Sequence, residues 1–318
     1  MADKFDWSTT GEEAVQEFAS LITGKTILIT GVASGSLGGA AALALAKAQP
    51  KLIILHARSE DKIAPIAKEV QGEGVPTKNV VMDLASLASV RKAAETVISW
   101  SDVKIDVIIN CAGVMATPYG KTEDGFEQQF GINHLSHFLF TNLLLKAGKV
   151  ANGGRIVNVS SGAHMILGKG IRWDDINFSD GAKYDKYESY GQSKTANVLY
   201  SVALADKLKS NTILSFSLTP GIINTNLGRH QSEDDIATLM KHVQNAFKGT
   251  PTNLEYRTLS QGISTQIVAA FSPLIADENG GYLVDCQIRP AAPYASSLEN
   301  ANRLWTLSED MVGENFSF

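Results

Sequence analysis

Short β-branched runs alternate with helix-forming stretches along most of this chain, and that alternation restricts the folds open to it. The runs are TILIT (26–30), LIIL (52–55), NVVM (79–82), IDVIIN (105–110), GRIVNVS (154–160), TILSFSL (212–218) and GYLVDC (281–286). Stretches such as 38–48, 86–100 and 130–147 lie between them and are rich in good helix formers. Nearly continuous apolar strands imply a parallel sheet buried on both faces. The expectation is an α/β fold: a single doubly wound parallel sheet of Rossmann type, with helices on both faces. Residues 1–318 read as one domain of this kind. It carries a helical N-terminal extension (1–23), a substrate-side lid inserted at about 221–257 and a helical tail at about 291–318. Further helices are expected at 11–22, 232–247, 258–271 and 296–312.

The first strand runs into Gly31-Val-Ala-Ser34-Gly35-Ser36-Leu37-Gly38-Gly39 and then an Ala-rich helix. Glycines there allow a tight turn and close approach of backbone to a ligand. A helix N-terminus behind such a turn can hold a pyrophosphate. The alternative is a turn that only packs helix on strand. The second strand leads to Arg58-Ser59, where a fold that takes NAD usually places an acidic residue for the ribose 2′-hydroxyl. A guanidinium suits a 2′-phosphate instead, so NADP is expected, with NADPH preferred over NADH; a solvated arginine beside a Ser59 helix cap is the alternative. Asp83-Leu84 ends the third strand. Its carboxylate could meet an adenine amino group or cap the helix starting near Ser86.

Tyr190 and Lys194 lie four residues apart in a proline-free helical run. That spacing puts phenol and ammonium on one helix face. A neighbouring cation favours the phenolate, so the tyrosine pKa is expected to fall below its usual ~10, as a general acid working near neutral pH needs.

In order, the glycine turn at 30–38, Asp83-Leu84, Asn110-Cys111-Ala112-Gly113, Gln129-Phe-Gly-Ile-Asn133-His-Leu-Ser-His137, Asn158-Val-Ser-Ser161, Tyr190-x-x-x-Lys194 and Pro220-Gly221 resemble the short-chain dehydrogenase/reductase family. The likeness is greatest to its retinol-dehydrogenase-like and WW-domain-oxidoreductase-like group and covers roughly residues 24–290. The resemblance implies catalytic roles for Asn133, Ser161, Tyr190 and Lys194. Tyr190 would be the acid or base and Lys194 would hold the nicotinamide ribose. Ser161 would bond the carbonyl oxygen, and Asn133 would keep a proton-relaying water. Asn110, Ala112 and Gly113 would line the cofactor groove. Pro220, Gly221, Ile223 and Thr225 would lie along the nicotinamide. Two departures stand out. The glycines run 31, 35, 38, one residue longer than the family's usual spacing, which leaves open whether Gly35, Ser36 or Gly38 meets the pyrophosphate. The segment between Ser161 and Tyr190 is long and is expected to shape the substrate mouth.

The implied activity is hydride transfer between NADP and a small, apolar ketone, aldehyde or secondary alcohol. A cofactor-binding sensor without turnover, or the same scaffold turned to isomerisation or dehydration, are alternatives. A net charge of −5 gives no reason to expect nucleic acid or an anionic membrane. No apolar run reaches the ~18 residues of a membrane span, and the polar N-terminus does not read as a signal peptide; the expected location is cytoplasmic. Cys111 and Cys286 have no metal-ligand spacing. His134 and His137 read as core histidines, so no metal is expected. A Ser161–His164 nucleophile pair lacks the G-x-S-x-G elbow of a hydrolase. His164, Met165, Trp173, Tyr184, Tyr187, Met240, Phe247 and Tyr256 are candidates for the substrate side. The family habit of pairing through helices leaves homodimer or monomer open.

Overall fold

The computed structural model describes residues 4–210, 212–246 and 256–318. Two short helices, α1 (Gly11–Glu17) and α2 (Ala19–Ile22), precede β1 (Thr26–Thr30). Then come α3 (Leu37–Ala46), β2 (Leu52–Ala57), α4 (Glu60–Gly72), β3 (Thr77–Val81), α5 (Leu87–Ser99) and β4 (Ile105–Asn110). A short α6 (Gln128–Phe130) passes through a π-helical turn, Gly131–Leu135, into α7 (Ser136–Lys146) and β5 (Val150–Val159). The remainder holds α8 (Ala163–Ile166), α9 (Lys186–Lys207), β6 (Leu214–Leu218), α10 (Glu233–Ala246), α11 (Leu259–Phe271), β7 (Tyr282–Val284), β8 (Gln287–Arg289), α12 (Pro293–Ser296) and α13 (Leu298–Val312).

The sheet order is β3-β2-β1-β4-β5-β6-β7-β8. All pairings are parallel except β7 with β8. Strand order reverses between β1 and β4, and in such sheets that switch point opens a crevice at the carboxyl ends of the strands. Successive strand residues point to opposite faces, and the apolar layers follow that period. Leu28, Ile54, Val80, Ile108 and Ile156 belong to one layer. Ile27, Ile29, Ile53, Leu55, Val107, Ile109 and Val157 belong to the other. The first layer is covered by α5, α7, α9 and α13, the second by α1, α3, α4 and α11.

The expected strands are present, but three details differ. The last one stops at Val284, because Asp285 (φ +53°) and Cys286 (φ +65°) turn left-handed. Two positive φ angles in a row make a tight hairpin turn, which adds the antiparallel β8. The expected helix at 130–147 is interrupted by the π turn holding Asn133. The helix at 11–22 divides at Phe18. Within the lid, α10 is tied to α9 where Lys186 Nζ pairs with Asp235 Oδ1 at 2.6 Å and the Tyr187 hydroxyl donates to the Asp235 carbonyl at 2.8 Å. Among the described residues no helix is long and apolar enough to cross a membrane.

The C-terminal α13 packs on α9, with Trp305 only 3% exposed. Its ring meets Phe138 edge-on at 5.0 Å and lies 6.1 Å from Tyr200. Trp305→Ala should therefore lower unfolding stability by about 3–5 kcal/mol, the usual range for emptying such a site. Urea unfolding checks this; a loss under about 1 kcal/mol would mean that the tail is not part of the cooperative core.

Candidate active site

The chain leaves β1 through a turn in which three glycines do separate work. Gly31 has φ +79°, and a Cβ there would lie 2.7 Å from the Ala112 Cα. A Cβ on Gly38 would lie 2.7 Å from the Gly31 carbonyl oxygen, so Gly38 is a packing residue that lets α3 rest against β1. Gly35 (φ +72°) has open space where its Cβ would be. Ser36 caps α3: its Oγ accepts the Gly39 and Ala33 N–H groups, both at 3.0 Å. The N–H groups of Leu37 and Gly38 find no acceptor among the described residues. Ser34 and Gly35 are exposed beside them. Unsatisfied N–H groups at the start of a ten-residue helix, next to an open glycine, fit a phosphate.

Arg58 stands exposed at the carboxyl end of β2. Ser59, expected as a helix cap, makes no side-chain cap bond. Its hydroxyl meets Asp61 instead, and the Glu60 carboxylate takes an N–H of Asn79. Asp83 does not cap α5 either. Its Oδ1 accepts from Ala85 N–H at 2.9 Å, while the Leu87 N–H at the head of α5 donates to Asp124 at 2.8 Å. Leu84 is in the core, and its carbonyl is taken by Ser136 at 2.6 Å. Asn110, expected in the groove, is only 1% exposed. Its amide donates inward to Thr141 (3.1 Å) and Asn158 (2.9 Å), so it ties β4 to β5 and α7 instead.

Beyond β4 the half-buried Ala112 and Gly113 approach the centre. A Cβ on Gly113 would lie 3.0 Å from Asn133 Oδ1 and 3.6 Å from Lys194 Nζ, so a side chain there would crowd the Asn133 amide. Asn133 grips the next residue with both ends of its amide: Oδ1 accepts from Val114 N–H at 2.8 Å and Nδ2 donates to the Val114 carbonyl at 2.9 Å. Nδ2 also reaches Ser193 Oγ at 3.0 Å. The Asn133 amide is thus committed chiefly to placing the loop.

Tyr190 (4% exposed) and Lys194 (4%) sit on one face of α9 as their spacing predicts, with Nζ 5.7 Å from the phenol ring centre. The Ser161 hydroxyl, two residues past β5, hydrogen-bonds the Tyr190 phenol. Lys194 Nζ donates to the Val159 carbonyl at 3.0 Å. The expected fall in the tyrosine pKa is not what this geometry produces. Burial pushes Tyr190 up to about 12, against the lowering effect of Ser161, and burial brings Lys194 down to about 8. Desolvation is the largest influence on both groups.

Pro220 is buried and Gly221 exposed, with φ +87°. Ile223 packs over Gly262 beside Leu37. Thr225 caps the short turn Asn226–Gly228, its Oγ1 accepting from Leu227 N–H at 3.2 Å. On the substrate side, Met165 (40%) and Tyr256 (56%) are exposed, and Met240 is half-buried on α10. The others are structural. His164 is fully buried between the Ser161 carbonyl (2.7 Å) and Ala292 N–H (3.2 Å). Trp173 carries Arg303 over its ring at 4.4 Å. The Tyr184 hydroxyl donates to the Thr117 carbonyl at 2.9 Å, and Tyr187 holds α10. Phe247 lies outside the described residues.

Sequence reasoning missed the residues that brace these groups. Thr30 Oγ1 accepts the Cys111 and Ala112 N–H groups at 2.9 and 3.0 Å and donates to His137 Nε2 at 3.0 Å. His137 Nδ1–H then meets the Asn133 carbonyl at 3.2 Å. Gln129 Oε1 accepts from Ala116 N–H at 2.9 Å, and His56 Nδ1 accepts from Gly31 N–H at 3.3 Å. Burial holds His56 down at about 4 and His137 at about 3, so both are neutral imidazoles. Polar residues at strand ends and on an apolar helix were the available signal.

A sequence profile described as short chain dehydrogenase matches residues 25–170. The chain is 39% identical to retinol dehydrogenase 14 of Homo sapiens, an alignment covering 92% of this chain and 88% of that protein. It is 36% identical to short-chain dehydrogenase TIC 32 A, chloroplastic, of Brassica napus, covering 90% and 88%. A crystal structure of a Mycobacterium paratuberculosis protein superposes with a TM-score of 0.72 at 29% identity, covering 93% of this chain and 96% of that one. The angucycline C-6 ketoreductase LanV, solved with bound NADP, shares the fold at 22% identity and a TM-score of 0.62, with 84% and 95% covered.

Thr30→Val keeps the shape of the side chain but strands two N–H groups and an imidazole nitrogen. A loss of at least about 2 kcal/mol is expected, since each buried unsatisfied group costs about 1–3 kcal/mol; Thr30→Ser should restore most of it. Equal stability of the valine variant in urea would show that this hydroxyl does not hold the strand ends.

Proposed function

The chain belongs to the short-chain dehydrogenase/reductase family, in its retinol-dehydrogenase-like group, and we propose that it is an NADP-dependent oxidoreductase interconverting an apolar alcohol and its carbonyl compound. The observation that carries the reading is the meeting of Ser161, Tyr190 and Lys194 above the Asn133–Val114 clamp. A nicotinamide dinucleotide bound across the switch point supplies or takes the hydride. Leu37, Gly38 and Gly35 would hold its pyrophosphate, Arg58 its 2′-phosphate, Asp83 its adenine, and Gly113, Lys194 and the turn at 220–225 its nicotinamide end. Arg58 supports NADP because it is the exposed charge at the end of β2, where the neighbouring carboxylates are turned to Asn79 and Ser59.

Tyr190 is the proton donor for reduction and the acceptor for oxidation. With its pKa raised, the phenol is protonated near neutral pH and ready to give its proton to a carbonyl oxygen. Ser161 orients that oxygen. Lys194, fixed by Val159, brings a positive charge that favours the phenolate as it forms, and the buried setting strengthens that effect. The substrate is apolar and extended. Support comes from exposed Met165, Ile236 and Tyr256 on α8, α10 and the last residues of the lid, and from relatives named for retinol.

Tyr190→Phe should cut kcat by at least about 10²-fold and leave cofactor affinity as in the wild type. Fluorescence titration and NADPH absorbance read the two separately; undiminished turnover removes Tyr190 from the acid role. Cofactor binding with no turnover over a broad carbonyl panel, retinal included, would favour a sensor. Arg58→Asp should weaken NADPH by about tenfold or more, the worth of a charge-assisted bond, and barely change NADH. Equal losses for both cofactors would remove the 2′-phosphate role.

A further inference from the structure

Arg257 is a charged side chain that is almost dry, with 1% of it exposed. One carboxylate meets it, as Nη2 pairs with Asp285 in the β7–β8 turn. Among the described residues, Nε and Nη1 are buried without an acceptor. The Trp7 ring from the N-terminal extension lies over the guanidinium, 5.4 Å from its centre. A buried ion pair with two unused donors is a poor source of stability, and a well-packed apolar side chain of similar size would serve as well or better. Packing alone therefore does not account for an arginine here.

The position of the side chain does account for it. Arg257 N–H donates to the Ile222 carbonyl at 2.8 Å, and residue 257 pairs with Ile223 in a parallel bridge. A Cβ on Gly221 would lie 2.7 Å from both Cδ and Nε of the arginine. The guanidinium thus rests directly on Gly221, while its backbone is stitched to the two residues that follow. Two further segments of the chain, through Trp7 and Asp285, press on it from outside.

We infer that Arg257 is a positioning residue which, clamped by Asp285 and Trp7, holds the turn at 220–223 in place over the nicotinamide end of the cofactor groove. The inference rests on the cofactor reading given above. It implies that the N-terminal extension and the β7–β8 hairpin set how tightly the cofactor is retained, although neither reaches the reacting atoms.

The test compares Arg257→Met and Asp285→Asn with the wild-type full chain, measuring thermal midpoint, cofactor dissociation constant and off-rate by fluorescence with NADPH, and KM against kcat. Arg257→Met should keep or raise the midpoint while the NADPH dissociation constant and KM rise about tenfold, the scale of one lost charge-anchored contact. Asp285→Asn, at a half-exposed site that tolerates the change, should move the same two constants in the same direction. A merely structural role would lower the midpoint and the active fraction and leave KM alone. Wild-type KM and off-rate in Asp285→Asn, or in a folded Arg257→Met, overturn the inference. Should the wild type bind neither NADPH nor NADH, the cofactor reading itself fails, and this inference falls with it.

Discussion

Past the carboxyl ends of its strands a parallel sheet has no ladder, yet the chain must turn there with its backbone N–H groups close to the core. Each such group left without a partner costs about 1–3 kcal/mol. In this protein side chains take over from the ladder. Thr30 receives Cys111 and Ala112, Asn133 receives Val114, and Gln129 receives Ala116. His56 receives Gly31, Thr219 receives Gly162, and Ser161 receives Ala163. These acceptors come from strands, a short helix, a π turn and two loops, so the rim of the crevice is braced from several directions at once. Loops held in this way can present groups with the precision of a strand, which catalysis requires.

Tyr190, Lys194 and Ser161 depend on that rim. Lys194 Nζ is held by the Val159 carbonyl, and Gly113 lies close beside it. Tyr190 lies one turn earlier on α9 and finds Ser161 where β5 has ended. Burial acts on the two ionisable groups in opposite senses, raising the phenol and lowering the ammonium, because both lose charge most readily in a dry site. Both groups are thus protonated at neutral pH, the tyrosine more firmly than a free phenol.

The strands were legible from their β-branched runs, and the face of each strand residue from its parity, since local pattern and burial agree there. The Tyr190–Lys194 face was legible because four residues make one helical turn. What escaped depended on distant contacts. The π turn at Asn133 accompanies a Gly131 whose Cβ would meet Thr122, a contact no local pattern contains. The inward turn of Asn110 depends on Thr141 and Asn158, and the role of His164 depends on Ala292. The direction of the tyrosine shift was misread because spacing reveals the neighbouring charge but not the depth of burial.

The long glycine turn shows how a departure from a family pattern can be absorbed. An extra residue between the second and third glycines could have moved the helix end away from the crevice. Instead Ser36 occupies the cap position, its Oγ bridging Ala33 and Gly39 N–H groups and itself donating to the Gly31 and Ala33 carbonyls at 2.9 and 2.8 Å. The insertion is therefore folded into a closed knot of hydrogen bonds within the turn. Gly38 still allows α3 to pack on β1, and Gly35 still faces open space. The cap takes the Gly39 N–H and leaves those of Leu37 and Gly38 without an acceptor among the described residues. A serine at this position thus caps the helix within the longer turn and leaves two N–H groups of the first helical turn uncommitted among the described residues.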